Sequence, residues 1–192
     1  MPIVTALRGR GRGRVEVHLD GAPWRLVPED AVVRAGLVVG RAIDRETARS
    51  LGRELRRSEA LGSALRVLRY RDQSRRRLEQ RLTHRGIRAA ARADALEALE
   101  AAGFLDDARV AAARAQALAD RGYGDGAIRF ALEAEGITAA DVDAALEALE
   151  PEAQRARALL ADRGDRVRGV RWLASKGFDA STLEDVAGFA DD

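Results

Sequence analysis

The chain lacks cysteine, and it has only two histidines, His18 and His84, among 192 residues. Without cysteine, disulfide bonds, thiolate zinc ligation and cysteine nucleophiles are excluded. A two-histidine metal site or a serine–histidine–aspartate triad would need one of these histidines buried beside further ligand or catalytic residues, and no such motif surrounds either histidine in the sequence. The phosphate-cradling pattern G-x-x-x-x-G-K-[ST] is also missing. We therefore expect no metal, no cofactor, no small-molecule substrate and no enzymatic activity.

Aromatic residues and long apolar segments are scarce. Phe, Trp and Tyr make up 4% of the chain, and much of the apolar fraction is alanine, which favours many closely packed short helices. No apolar run approaches the roughly 20 residues that span a bilayer. The apolar stretch at the start is too short for a signal peptide. These features predict a mainly α-helical cytoplasmic protein without a membrane contact.

Lysine is almost absent too, since Lys176 is the only one. Arginine is therefore the general cation of this chain, and its clustering is more informative than its number. Residues 64–107 carry ten arginines and seven acidic residues, whereas residues 108–151 carry four and eight. The basic charge is thus concentrated in the first half of the chain.

The first 43 residues predict a small β-containing segment. Residues 3–7 form a short apolar run, and residues 15–19 and 24–27 alternate with period two on either side of a turn. This pattern indicates a strand followed by a hairpin. Pro28 and the two acids after it favour the start of a short helix.

Alternating arginine and glycine fill the stretch between the first two predicted strands. Two interpretations are open: a flexible cationic loop that contacts phosphates, or a loop that only joins two strands. The candidate anion-binding residues of this loop are Arg8, Arg10, Arg12 and Arg14.

From Asp44 onward the pattern is helical, with Asp44 as the N-cap of a helix that runs to about Arg57. Three copies of a helix–turn–helix–glycine–helix pattern follow, aligned on Gly86, Gly136 and Gly177. Each glycine has a leucine four residues before it, a turn residue twelve before it (Ser74, Gly124 and Asp165) and an apolar residue directly after it. The predicted divisions are a β-containing segment 1–43, a connecting helix 44–63, and repeats 64–107, 108–150 and 151–192.

In each repeat the glycine is expected to adopt the left-handed C-cap conformation, and the apolar residue after it to fold back onto the last helical turn. Such units cannot bury both faces alone and stack on their neighbours. The predicted fold is therefore mainly α: an elongated array of three tandem three-helix units behind a small segment with a β-hairpin.

Arginines cluster in the first repeat. In its first helix Leu65 and Leu68 define the predicted buried side, and in its second helix Leu78 and Leu82 do so. The arginines lie off these sides and are the candidate partner-binding or phosphate-binding residues. They are Arg66, Arg69, Arg71, Arg75, Arg76, Arg77, Arg81 and Arg85.

Ser74 is the predicted N-cap of the second helix, and Arg75, Arg76 and Arg77 follow it. Three cations in a first turn oppose the helix dipole at about 0.3–1 kcal/mol each. An anionic partner would reverse this penalty, since free N–H groups and guanidinium groups both suit phosphate or carboxylate. A solvated charged face in an arginine-biased protein is the alternative.

Several other residues have structural interpretations. Tyr70 and Tyr123 suit packing at the edge of a core better than stacking on bases. His84 suits a capping cation at a helix C-terminus. Asp106 and Asp107 are better explained as acids at a helix start than as the paired carboxylates of a hydrolase.

In this order, the motifs resemble the RecX family, regulators of the bacterial recombinase RecA. The resemblance covers nearly the whole chain. The stretches that carry it are "IVTAL", "RVEVHLDGAPWRLV", "AGLVVG", "ALRVLRYRDQSRRRLEQRLTHRGI", "GFLDDARVAAARA", "GYGDGAIRFALEAEGI" and "VRGVRWLASKGF".

The resemblance implies a protein that binds in the groove of the RecA–DNA filament. It implies inhibition of RecA ATPase activity, strand exchange and the co-protease activity of the SOS response, together with some affinity for DNA. The basic row of the first repeat matches the basic first repeat of the family, and residues 103–107 match its inter-repeat signature. A helical protein that binds single- or double-stranded nucleic acid directly is the alternative function.

Replacing Arg75, Arg76 and Arg77 together with glutamate is predicted to weaken partner binding without unfolding the protein, because the dipole penalty disappears. Binding assays and thermal unfolding of the variant check this. A fall in melting temperature of many degrees would show that these arginines are structural.

Overall fold

The computed structural model describes residues 1–161 and 166–188, and of Arg166 only the backbone. These residues form three strands and ten helices. The strands are β1 Val4–Gly9, β2 Arg14–Leu19 and β3 Ala22–Pro28. The helices are α1 Glu29–Arg34, α2 Arg45–Leu68, α3 Arg75–His84, α4 Ala89–Ala101, α5 Asp107–Ala119, α6 Asp125–Ala134, α7 Ala139–Glu147, α8 Glu152–Ala161, α9 Arg166–Ser175 and α10 Ala180–Gly188.

The chain divides into two compact units. The first contains Met1–Arg71 and Leu78–Phe104, and the second contains Asp72–Arg77 and Leu105–Asp192. Helix α3 therefore contributes its first turn to the second unit and the rest of its length to the first.

An antiparallel sheet in the order β1-β2-β3 opens the first unit. Val17 and Val27 are fully buried on the same face of the sheet, and they pack with Ala31 of α1 and Leu51 of α2. The predicted strand, hairpin and short helix are confirmed. Asp44 caps α2 as predicted, since its carboxylate accepts a hydrogen bond from the Thr47 N–H at 2.7 Å.

Helix α2 is longer than predicted. Instead of ending near Arg57 it continues to Leu68, because no residue between these positions breaks a helix. Its buried side also differs, since Leu65 is 42% exposed whereas Ala60, Ala64 and Val67 are buried. Small residues occupy that side because Ala60 packs against two alanines of α4, and a leucine there would hold the helices apart.

The three glycine caps are confirmed. Gly86, Gly136 and Gly177 have φ angles of 74°, 79° and 80°. This left-handed conformation turns the chain so that the next N–H bonds back to the carbonyl five residues earlier. These bonds run from Ile87 to Leu82 (3.1 Å), from Ile137 to Leu132 (3.3 Å) and from Phe178 to Leu173 (3.3 Å).

Within the second unit, the cap of α9 contacts the start of α6. The Gly124 N–H donates to the Lys176 carbonyl at 3.0 Å, and the Gly126 N–H donates to the Gly177 carbonyl at 3.1 Å. A helix start has free donors and a helix end has free acceptors, so each end satisfies the other. Gly124 has no room for a side chain, because a Cβ there would lie closer than 3.0 Å to the backbone of Gly177 and Phe178.

The same contact occurs between the cap of α6 and the first turn of α3. Ser74 Oγ donates to the Glu135 carbonyl at 2.7 Å and accepts from the Arg77 N–H at 3.3 Å, so its predicted role as N-cap is confirmed. The Arg76 side chain packs directly on Gly136. The turn residue of the third repeat, Asp165, lies outside the described residues.

An acidic residue supports each of these helix starts. Asp107, the first residue of α5, accepts a hydrogen bond from the Arg75 N–H at 2.7 Å. Glu152, the first residue of α8, accepts one from the Asp125 N–H at 2.6 Å. Asp107 thus takes the place of the first-turn acid that α3 lacks, and Glu152 adds a second carboxylate beside Asp125, the first-turn acid of α6.

An ion pair joins Asp125 to the nearly buried Arg155, which also donates to the Tyr123 carbonyl at 3.0 Å. Burial raises the pKa of the Asp125 carboxyl above its usual value, outweighing the opposite effect of the Arg155 guanidinium. Removing either partner would leave the other charge poorly solvated.

Replacing Gly124 with alanine is predicted to destabilise the protein by about 1–3 kcal/mol, because the new methyl group overlaps the backbone of the α9 cap. Gly62→Ala is the matched control. Gly62 lies inside α2, where the nearest atom to a Cβ is the Arg66 Nη1 atom at 3.6 Å, so alanine there should add up to about 1 kcal/mol of stability. Denaturant unfolding measures both, and equal stability of the two variants would contradict the packing described.

Candidate partner-binding surface

Helix α3 presents a row of arginines to solvent. Arg77, Arg81 and Arg85 follow one another at intervals of four residues, and all three are exposed. Arg85 makes one hydrogen bond, from Nη1 to the Ser63 carbonyl at 3.4 Å. Arg77 and Arg81 form no side-chain hydrogen bond or ion pair with any described residue. Their charges are therefore available to an anionic partner.

The other two arginines at the start of α3 take part in the fold. The Arg75 N–H is bonded to Asp107, and its side chain is half-buried. Arg76 is exposed, but the stem of its side chain covers Gly136. The Asp107 carboxylate also offsets the dipole penalty that the sequence analysis assigned to a partner. Substituting all three arginines would consequently alter packing as well as charge.

The end of α2 and the turn after it carry three more candidates. Arg66, Arg69 and Arg71 are exposed, and Arg66 donates from Nη2 to Ser63 Oγ at 2.9 Å. Tyr70 lies among them and is 84% exposed, so its predicted place at a core edge is wrong. Tyr123 does pack against a core, that of the second repeat.

A cleft of about 810 Å³ lies in the first unit, between β3, the loop before β2 and helix α2. It brings Arg12 and Arg14 of the glycine-rich loop to the same place as Arg66. Asp30 and Glu59 are its acidic lining residues. Arg25 and Arg56 also line it, so five arginines and two acidic residues surround the cleft.

Sequence reasoning missed Arg25 and Arg56, although a signal existed for each. Arg25 stands two residues before the buried Val27 and so shares its face of β3. Arg56 precedes Arg66 by ten residues, about 2.8 helical turns, so the two point about 80° apart on neighbouring parts of an unbroken helix surface. The prediction that the helix ended near Arg57 hid this relation.

Arg8 and Arg10 do not line the cleft. Arg8 lies on β1 and is exposed. Arg10 forms an ion pair with Glu16 at 2.6 Å. Hydrogen bonds from Arg10, and then from His18, lower the pKa of the Glu16 carboxyl below its usual value. Arg10 is therefore already matched by an acid of the same sheet.

Asp106, Asp107 and His84 form hydrogen bonds at helix ends. Asp106 caps α5 by accepting from the Arg109 N–H at 2.9 Å, and Asp107 holds the start of α3. His84 closes α3, with Nδ1 2.7 Å from the Gln80 carbonyl. Among the described residues, no three His, Asp or Glu side chains come together as a metal site, and no helix is long and apolar enough to cross a membrane.

Similar proteins are known, although no family model matches the chain. A protein of Xanthomonas oryzae pv. oryzae named regulatory protein RecX is 31% identical over 156 residues, which cover 76% of this chain and 98% of that protein. Regulatory protein RecX of Acidithiobacillus ferrooxidans is 34% identical over 137 residues, which cover 69% of this chain and 91% of that protein.

Solved structures share the fold. A crystal structure of regulatory protein RecX matches 97% of this chain with a TM-score of 0.85 at 22% identity and is itself covered to 99%. RecX from Lactobacillus salivarius matches 69% of this chain with a TM-score of 0.61 at 18% identity. Because the named relatives exceed 30% identity over more than two thirds of its length, this chain belongs to the RecX family of regulatory proteins.

Proposed function

We propose that this protein regulates RecA in the cytoplasm by binding the RecA–DNA filament. It acts without chemistry of its own: it lowers the ATPase activity of the filament and with it strand exchange and the SOS co-protease activity. Membership of the RecX family supports the regulatory role, since the relatives carry that name.

The observation that carries the proposal is the contrast between the arginines of the first two repeats. In the first repeat Arg69, Arg71, Arg77 and Arg81 have no acidic partner among the described residues. In the second repeat three of the four arginines are paired with acids of the same unit, and the fourth, Arg121, lies over the Tyr123 ring. These pairs are Arg109 with Asp72 (3.3 Å), Arg114 with Glu135 (3.4 Å) and Arg129 with Asp143 (2.6 Å).

Unpaired surface arginines are suited to a protein–DNA filament in particular. Guanidinium groups bind phosphates and carboxylates with two hydrogen bonds at a time, and a filament offers DNA phosphates beside protein acids. Arginines already paired within the protein would have to break those contacts first, so the second repeat contributes less to such a surface.

Adding the protein to RecA assembled on single-stranded DNA is predicted to lower the rate of ATP hydrolysis in a concentration-dependent way. A coupled ATPase assay at fixed DNA measures this, with bovine serum albumin as the control for protein addition. Hydrolysis that stays unchanged at a stoichiometric excess over RecA would contradict the proposal, and stimulated hydrolysis would contradict its inhibitory direction.

Direct binding of nucleic acid is the second candidate, and the cleft of the first unit favours it. Five arginines around one cleft can neutralise several phosphates of a strand, which releases counterions. The affinity for single-stranded DNA alone should then fall steeply with salt, with a log–log slope of several units. A flat salt response, or no retardation of DNA at low salt, would remove this candidate.

Reversing two charges of the α3 row tests the surface itself. The variant Arg77→Glu/Arg81→Glu is predicted to weaken binding to the RecA filament by roughly tenfold or more, because two cations become repulsive anions. Its melting temperature should stay close to that of the wild type, since neither side chain forms a hydrogen bond or an ion pair with a described residue.

The matched control is Arg49→Glu/Arg53→Glu, which makes the same charge change at the same spacing on exposed positions of α2. Filament binding by this control should change much less. Equal losses for both variants would mean that net charge, rather than the α3 surface, governs binding.

A further inference from the structure

The glycine caps of α6 and α9 each receive the start of another helix, whereas among the described residues the cap of α3 receives none. We propose that this open cap, formed by Arg85, Gly86 and Ile87, is a docking site for the first turn of an acidic helix of the protein partner. The inference rests on the proposed function, because it names the chemistry by which the filament is recognised.

The two internal contacts define what such a cap accepts. At both, the carbonyl before the glycine accepts a hydrogen bond: that of Glu135 from Ser74 Oγ (2.7 Å) and that of Lys176 from the Gly124 N–H (3.0 Å). At both, the bare glycine lets the incoming chain approach without a gap. The negative end of one helix thereby meets the positive end of another.

The cap of α3 has the same geometry without the occupant. Gly86 has a φ of 74° and is exposed, and a Cβ placed on it would have no atom within 4 Å. Among the described residues, nothing donates a hydrogen bond to the Arg85 carbonyl. By contrast Gly136 and Gly177 are half-buried by the elements docked on them.

Charge indicates that the occupant is acidic. Arg81, Arg85 and Arg88 are exposed around this cap. The internal helix starts are supported by Asp107 and Glu152, each the first residue of a repeat's first helix. The first repeat lacks that acid, because its first helix is the end of α2 and has no start of its own. An incoming helix must therefore bring its own acid, which the arginines would pair with.

A second copy of this chain offers no suitable occupant among the second helices of its repeats, which are the helices that dock on caps within the second unit. The starts of α3 and α6 are already docked within the second unit. The first turn of α9 contains no acidic residue, so it would bring no anion to the arginines of the open cap. A separate protein with Asp or Glu in the first turn of an exposed helix fits better.

Gly86→Asn tests the cap. Asparagine tolerates the left-handed conformation, and its side chain would fill the space that a docked helix needs. Gly103→Asn is the control, since Gly103 closes α4 with the same conformation at φ 71° and also has no atom within 4 Å of a Cβ. Binding to RecA on single-stranded DNA should fall roughly tenfold or more for Gly86→Asn and change little for Gly103→Asn, with similar melting temperatures.

The binding results for these variants distinguish a failure of the docking inference from a failure of the proposed function. If the wild type binds filaments and Gly86→Asn binds equally well, the docking inference is overturned and the proposed function stands. If the wild type does not bind filaments at all, both fall. Equal losses of filament binding for Gly86→Asn and Gly103→Asn would also overturn the docking inference, because substitution of either glycine cap would then have the same effect.

Crosslinking identifies the occupant. Because the chain has no cysteine, Thr83→Cys places a single thiol on an exposed position in the last turn of α3, where a benzophenone maleimide can be attached. Light should join it to a RecA peptide at the acidic start of a helix, while the exposed Ala48→Cys on α2 should not give that product. A crosslink to a second copy of this chain would overturn the inference.

Discussion

The contact between the end of the second helix of one repeat and the start of the second helix of the repeat before it is the interaction on which the repeats depend. A helix start leaves N–H groups without partners, and a helix end leaves carbonyls. Here α9 offers the Lys176 and Gly177 carbonyls to α6, and α6 offers the Glu135 carbonyl to Ser74 before α3. The contact needs glycine twice over, for the left-handed turn and for the close approach, which is why the glycine recurs where most other residues change.

Because the cap needs particular residues at only a few positions, each repeat has structural positions that recur and other positions that are free to carry a function. Leu82 and Gly86 build the cap of the first repeat, just as Leu132 and Gly136 build that of the second. The arginines are not shared: Arg81 is replaced by alanine in the second repeat and Arg85 by Glu135, which pairs with Arg114. A scaffold that needs leucine and glycine at its caps leaves other positions free, and the first repeat fills four of them with arginines that have no acidic partner among the described residues.

Local signals predicted local structure well. The period-two hairpin, the Asp44 cap and the left-handed glycines depend on nearby residues, so the sequence is enough to find them. Predictions that depend on distant partners were incomplete. Leu65 looked like a core residue until the alanines of α4 determined which side of α2 is buried, and the hydrogen bond that the Arg75 N–H donates to Asp107 joins residues 32 positions apart. The arginine cleft needed a strand and a helix to be placed together, which no single-sequence period reveals.

Amide hydrogen exchange on the full chain tests the central contact most directly. First-turn amides of a helix normally exchange fast because they lack intrahelical acceptors. Helix α4 supplies the reference, since its N-cap Arg88 makes no side-chain cap bond and Ala89 and Ala90 are exposed. Because their helix starts are docked, we expect the amides of Arg75 and Gly126 to exchange much more slowly than those of the two alanines. Exchange at the same fast rate would contradict this expectation, because those helix starts would then be open to solvent rather than docked.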